Sequence, residues 1–103
     1  MAMNWSAKEK NISRQAFDLA LQRENQALIA QVQSKSAQIT EVDQVWALHA
    51  FLNARSRAMS QKYDYRYSRL LWVFHDLIEE QWLSIEDLEG LSTDKIDAIV
   101  KGY

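Results

Sequence analysis

The chain has no cysteine, no proline and only two glycines, Gly90 and Gly102, among its 103 residues. Each scarcity excludes something. Without cysteine there is no disulfide framework, no thiolate metal site and no cysteine nucleophile, which fits a reducing compartment. With no proline, and no glycine before position 90, the usual turn residues of a β-rich fold are missing. No apolar run approaches the roughly 18 residues of a membrane span, and the opening "MAMNWSAKEKN" lacks the apolar centre of a secretory signal. A cytoplasmic protein with no membrane partner is expected. There is no glycine-rich phosphate loop, no G-x-S-x-G elbow and no H-E-x-x-H pair. His49 and His75 stand alone on separate segments, with no third residue to complete a zinc site. No catalytic residue, metal or cofactor is expected, so an enzyme is not.

What the chain does have is helix formers, and the expected class is all-α. Ser6 followed by Glu9 reads as a capping box opening a first helix to about Ser36, with Phe17, Leu21, Leu28 and Val32 at helical spacing. Ile12, Leu19 and Ile29 fall off that stripe. "SKSAQITEVD" interrupts, and Thr40 with Asp43 reads as the cap of a second helix to about Lys62. Asp64 reads as the cap of a third, Tyr65 to Trp82, with Tyr67, Leu70, Leu71, Phe74, Leu77 and Ile78 inward. Ser84 with Asp87 opens a short fourth helix closed by Gly90, and a last one runs from Thr93 to Val100. The expected architecture is one domain over 1–103: a long antiparallel helical hairpin, the stalk, over about 6–62, and a small helical head over about 64–101. A first helix of about 30 residues spans ~45 Å, more than a compact chain of this size needs.

The second helix carries more apolar surface than one partner can cover. At 100° per residue, Val45, Leu48, Leu52, Met59 and Tyr63 form one stripe, with Val42 and His49 at its edge. These are the expected core face. Ala47, Phe51, Ala54 and Ala58 form a second stripe, roughly opposite, small enough for another helix to approach. Trp46, Ala50, Asn53 and Arg57 form a third, mixed one. Two apolar stripes need two burial partners. The expected arrangement is a homodimer in which two hairpins make four helices, with Ala47, Phe51, Ala54 and Ala58 at the interface.

Net charge is −2, unevenly spread. Residues 53–69 hold five basic groups against Asp64; residues 76–97 hold eight acidic groups against Lys95. Either the two patches neutralise each other or they form charged contact surfaces. "NARSRAMSQKYDYRYSR" mixes arginine with tyrosine, as nucleic-acid-binding proteins do. A sequence pI near 5.6 argues against nucleic acid as a partner. Tryptophan, tyrosine and arginine are instead typical anchors of protein interfaces, and Trp46 and Trp72 are the candidates.

The stretch "ITEVDQVWALHAFLNARSRAMSQKYDYR" resembles the fluorescence recovery protein family of cyanobacteria. The likeness rests on Ile39, Thr40, Trp46, Leu48, His49, Phe51 and Leu52, then Lys62, Tyr63, Asp64, Arg66, Val73 and Phe74, and runs from Trp5 to about Val100. It implies a dimeric, non-enzymatic regulator. Such a protein binds the C-terminal domain of photoactivated orange carotenoid protein, speeds its red-to-orange return and so ends photoprotective quenching. The resemblance also implies a partner-binding patch. Trp46 and His49 match it. Ala50 stands where the family has an aspartate, and Ser56 where it has an arginine, flanked by Arg55 and Arg57. Trp72 matches an aromatic of the head, and Ala98 falls where a basic residue is expected, with Lys95 and Lys101 nearby. The expected partner site is therefore Trp46, His49, Ala50, Asn53, Arg55, Ser56, Arg57 and Trp72. Other readings are a helical scaffold for a different protein partner, in a lineage lacking the carotenoid system, and a nucleic-acid-binding helical protein.

Overall fold

The computed structural model describes residues 4–102. Helix α1 runs Ala7–Ala37, α2 Val42–Lys62, α3 Leu70–Glu79 and α4 Thr93–Lys101, with a 3-10 turn at Ile85–Leu88. No strand occurs among the described residues. The capping box at the start of α1 is as expected: the Glu9 amide donates to Ser6 Oγ at 3.1 Å, and Glu9 Oε1 accepts from the Ser6 amide at 3.0 Å. Gly90 (φ 105°) ends the 3-10 segment. A side chain there would strike Ile12.

Two expected boundaries are corrected. The cap of α2 is Glu41, not Thr40. Gln44 Oε1 folds back over the entry and accepts from the amides of Thr40 and Glu41 at 2.7 and 2.9 Å. The third helix is much shorter than Tyr65–Trp82. Residues 63–66 are irregular and 67–69 form a turn. Asp64 caps nothing, because Arg66 takes both its oxygens, at 2.8 and 2.5 Å. Tyr63 and Tyr65 meet the Phe17 ring edge-on, with centroids 5.4 and 4.9 Å away, and a helix from 63 would turn them to different sides. At the other end, Gln81 adopts φ 68° and the amides of Trp82 and Leu83 both reach Leu77 O. That left-handed residue stops α3.

The pairing of α1 with α2 is antiparallel. Contacts join Glu24 to Lys62, Gln31 to Arg55 and Lys35 to Phe51, so steps forward on one helix match equal steps back on the other. The molecule measures 53 × 24 × 22 Å with a radius of gyration of 16.7 Å, against ~13 Å for a compact chain of this length.

The buried core sits at one end. Ala16, Phe17 and Ala20 of α1 pack with Leu70, Phe74 and Leu77 of α3, Leu88 of the 3-10 turn and Ile99 of α4. The head thus takes in the first half of α1. From residue 25 to residue 62 no residue is buried. The expected core stripe of α2 is corrected accordingly. Leu48, Leu52, Met59 and Tyr63 are only half-buried, and Val45 is 43 % exposed. A two-helix hairpin has one shared seam and no third layer to close over it.

Polar links fix the stalk to the head. Lys62 Nζ bridges Glu24 at 2.7 Å and Glu80 at 2.6 Å, while Tyr63 OH donates to Glu24 at 2.7 Å. Burial, reinforced by the Glu24 carboxylate, pushes the Tyr63 phenol far above its usual range. Arg23 reaches Asp87 and the Trp82 carbonyl, both at 2.9 Å. At the start of α1, Glu9 and Lys95 form a buried pair at 3.2 Å.

Candidate functional site

The surface of α2 carries most of the expected partner-site residues. Take Arg55 as the direction pointing at α1, since its guanidinium donates to Gln31 at 2.8 Å. At 100° per residue, Val45 and Leu52 then lie about 60–80° to one side, and Ala47, Ala54 and Ala58 about 60–100° to the other. On α1, with Lys35 pointing at α2, Val32 lies about 60° and Ile29 about 120° to the first side. Reversing a helix axis also reverses its sense of rotation, so these positions share one face of an antiparallel hairpin. The stalk therefore has a valine-rich side, with Ile29, Val32, Val45 and Leu52, and an alanine side.

The exposures follow that division. On the valine-rich side Ile29 is 57 %, Val42 64 % and Val45 43 % exposed. On the alanine side, Ala47, Ala54 and Ala58 are exposed, but Phe51 is half-buried. The Phe51 ring lies under Lys35 Nζ at 4.7 Å and near the Arg55 guanidinium at 5.7 Å.

The expected partner-site residues separate into groups. Trp46, Ala50, Asn53 and Arg57 form an exposed row along the outer face, about 16 Å from end to end. Trp46 is 64 % exposed and meets His49 edge-on, centroids 6.5 Å apart at 85°. His49 and Ser56 are exposed between this row and the valine-rich side. Arg55 does not join them: it is turned onto α1, its Nε buried without a hydrogen-bond partner. Trp72 stands on α3, in the head. Its neighbours Leu71 and Val73 are buried, whereas Trp72 is 40 % exposed. Trp46 lies about 24 Å of helix from Lys62, where α2 meets the head.

Sequence reasoning missed the two buried ion pairs, Glu9–Lys95 and Glu24–Lys62. One signal was present: Glu24 falls two turns after Phe17 on the inward stripe of α1, where a carboxylate needs a partner. Within the chain the two charge patches meet at one close ion pair among the described residues, Lys62–Glu80. No three histidine, aspartate or glutamate side chains among the described residues converge as a metal site. No described helix is long and apolar enough to cross a membrane.

This arrangement has close counterparts. A family model described as the photoprotection regulator fluorescence recovery protein matches residues 5–101. The chain belongs to the fluorescence recovery protein family. It is 40 % identical over 91 residues to the fluorescence recovery protein of Synechocystis sp., covering 88 % of this chain and 84 % of that one. The structure of the Fremyella diplosiphon fluorescence recovery protein superposes with a TM-score of 0.93 at 40 % identity, covering 96 % of this chain and 97 % of that one. The Synechocystis sp. structure gives 0.92 at 38 %, covering 95 % and 96 %. The fold expectation, an all-helical stalk and head, agrees with both. The family is one of regulators of photoprotection.

Proposed function

We propose that this protein is a non-catalytic, dimeric regulator that binds orange carotenoid protein and accelerates its red-to-orange return, ending photoprotective quenching. The observation that carries the reading is the stalk itself. Its helices bury no residue between 25 and 62, yet present Ile29, Val42, Val45 and Trp46 to solvent. A hairpin of that kind is completed by another surface.

Its two exposed faces suit two roles. The valine-rich side suits pairing with a second copy, because it offers the larger apolar side chains and burial scales with apolar area. The alanine stripe, with Ala47, Ala54 and Ala58, has less to bury, and Phe51 is already packed on α1. The outer row suits the carotenoid protein: Trp46 as aromatic anchor with His49 at its edge, then Asn53 and Arg57. Ala50 in this row and Ser56 at its edge stand where the family pattern has an aspartate and an arginine. Charged groups at an interface govern encounter rate and partner choice, so acceleration by this chain is expected to be slower than with both charges present.

The test is to photoactivate orange carotenoid protein, add this chain and time the return to orange. The reading predicts acceleration, and more of it with Ala50→Asp and Ser56→Arg together. No acceleration at saturating protein, beside an active family member, would overturn it.

A further inference from the structure

The tyrosine–arginine stretch "KYDYRYSR" is a sequence feature that the stalk faces do not use. In the fold it becomes an elbow between α2 and α3, packed across the first half of α1. Its rings form a ladder. Tyr65 and Tyr67 stand 5.7 Å apart, and Tyr67 meets Trp5 at 5.5 Å. Cations cover the ring faces: Arg14 lies 4.6 Å from the Tyr65 centroid and Lys10 5.4 Å from that of Tyr67.

The charges here are only partly compensated. Arg14 has Asp18 at 3.5 Å, and Arg66 holds Asp64. Lys10 and Arg69, both exposed, have no carboxylate within 4.0 Å among the described residues. The Asp64 carboxyl is held below its usual range, first by the Arg66 hydrogen bond and then by the charges of Arg66 and Arg69. The acidic segment 76–97 sends one carboxylate, Glu80, toward the basic stretch, and Lys62 takes it. Lys10 thus brings a charge without a carboxylate over Tyr67, which is 39 % exposed, and exposed Arg69 follows two residues later in the same turn, close enough to act on Asp64.

We propose that this elbow docks a short acidic segment of a protein partner, whose carboxylates engage Lys10 and Arg69 across Tyr67. The chemistry favours a peptide over nucleic acid. Single-stranded nucleic acid is held by bases stacked on open ring faces, and Arg14 and Lys10 occupy the faces of Tyr65 and Tyr67. Two exposed cations without a carboxylate among the described residues suit the carboxylates of a short acidic segment. Arg66 is a lesser contributor, because an incoming carboxylate must displace Asp64. The elbow is separate from the row of Trp46, so this inference stands or falls independently of the carotenoid reading.

The experiment uses the full chain with fluorescently labelled deca-glutamate and, separately, a thymidine oligonucleotide of the same length, both at low salt. Deca-glutamate is expected to bind, with affinity falling as salt rises. The double variant Lys10→Ala/Arg69→Ala, both sites exposed and its fold checked by circular dichroism, is expected to weaken it about tenfold, as the loss of two exposed charge contacts implies. Lys101→Ala, at the end of α4, is expected to leave binding unchanged. Absence of deca-glutamate binding, equal binding by the double variant, or an oligonucleotide bound as tightly as the peptide would each overturn the proposal.

Discussion

The head and the stalk place their apolar side chains in opposite ways. In the head, Leu70, Phe74, Leu77, Leu88 and Ile99 are wholly enclosed, and three separate segments close over the start of α1. In the stalk, two long helices share one seam, and Val42, Val45 and Ile29 stay outside it. The head can be stable as part of one chain. The stalk repeats the pattern of a bundle half, ordered along its seam and unfinished on one side. The head buries its apolar side chains within one chain, whereas the stalk leaves apolar area that a further surface could cover.

The largest expected effect would break the closed half. Phe74→Ala removes a ring with no exposure and should cost about 3–5 kcal/mol, read from urea or thermal unfolding. Alanine at half-buried Leu48 should cost clearly less. A cost at Leu48 equal to that at Phe74 would mean the stalk is as tightly packed as the head. Next comes the joint between the halves. In Lys62→Met, Glu24 keeps only Tyr63, and its side chain is 3 % exposed. An uncompensated buried carboxylate should cost about 3 kcal/mol, and adding Glu24→Gln should recover much of the loss.

Acid sharpens the contrast further. Hydrogen bonds from the Ser6 and Ser92 amides, then Lys95, hold the Glu9 carboxyl at about 2, against an ordinary 4.5. A carboxylate whose folded pKa is depressed stabilises fully above the unfolded value and progressively less as pH falls toward the folded one. Head stability should therefore drop between about pH 4.5 and pH 2, and Glu9→Gln should flatten that part of the profile, followed by unfolding at stepped pH. The smallest expected effect is at Arg14. Its pair with Asp18 has side chains 57 % and 58 % exposed, so Asp18→Ala should change stability by less than about 1 kcal/mol.

Much of this contrast was legible in the residues. The Ser6–Glu9 box, the long first helix and the Ser84–Asp87 turn carry local signals that tertiary contacts leave alone. The excess of apolar stripes on α2 pointed to an outside partner, since one seam cannot bury two faces. The choice of inward direction was not legible. Val45 fits the stripe of Leu48 and Leu52 by spacing, but it lies about 80° from the direction set by Gln31–Arg55 and is 43 % exposed. The elbow was missed for a related reason. Residues 63–69 have acceptable helical spacing, but Phe17, more than 40 positions earlier, draws Tyr63 and Tyr65 to one ring. The outer row of Trp46, Ala50, Asn53 and Arg57, part of the expected site, was readable from period alone. That Arg55 is turned onto α1 was not, because it depends on how the hairpin is aligned.

In the proposed dimer a second copy closes the open side of the stalk. Sedimentation equilibrium at micromolar concentration tests it most directly, on the parent chain and on Val45→Glu. The account predicts twice the chain mass of 12.0 kDa for the parent, and a single chain mass for the variant with its helical content retained. A parent chain that sediments at 12.0 kDa with its stalk helices intact would contradict it.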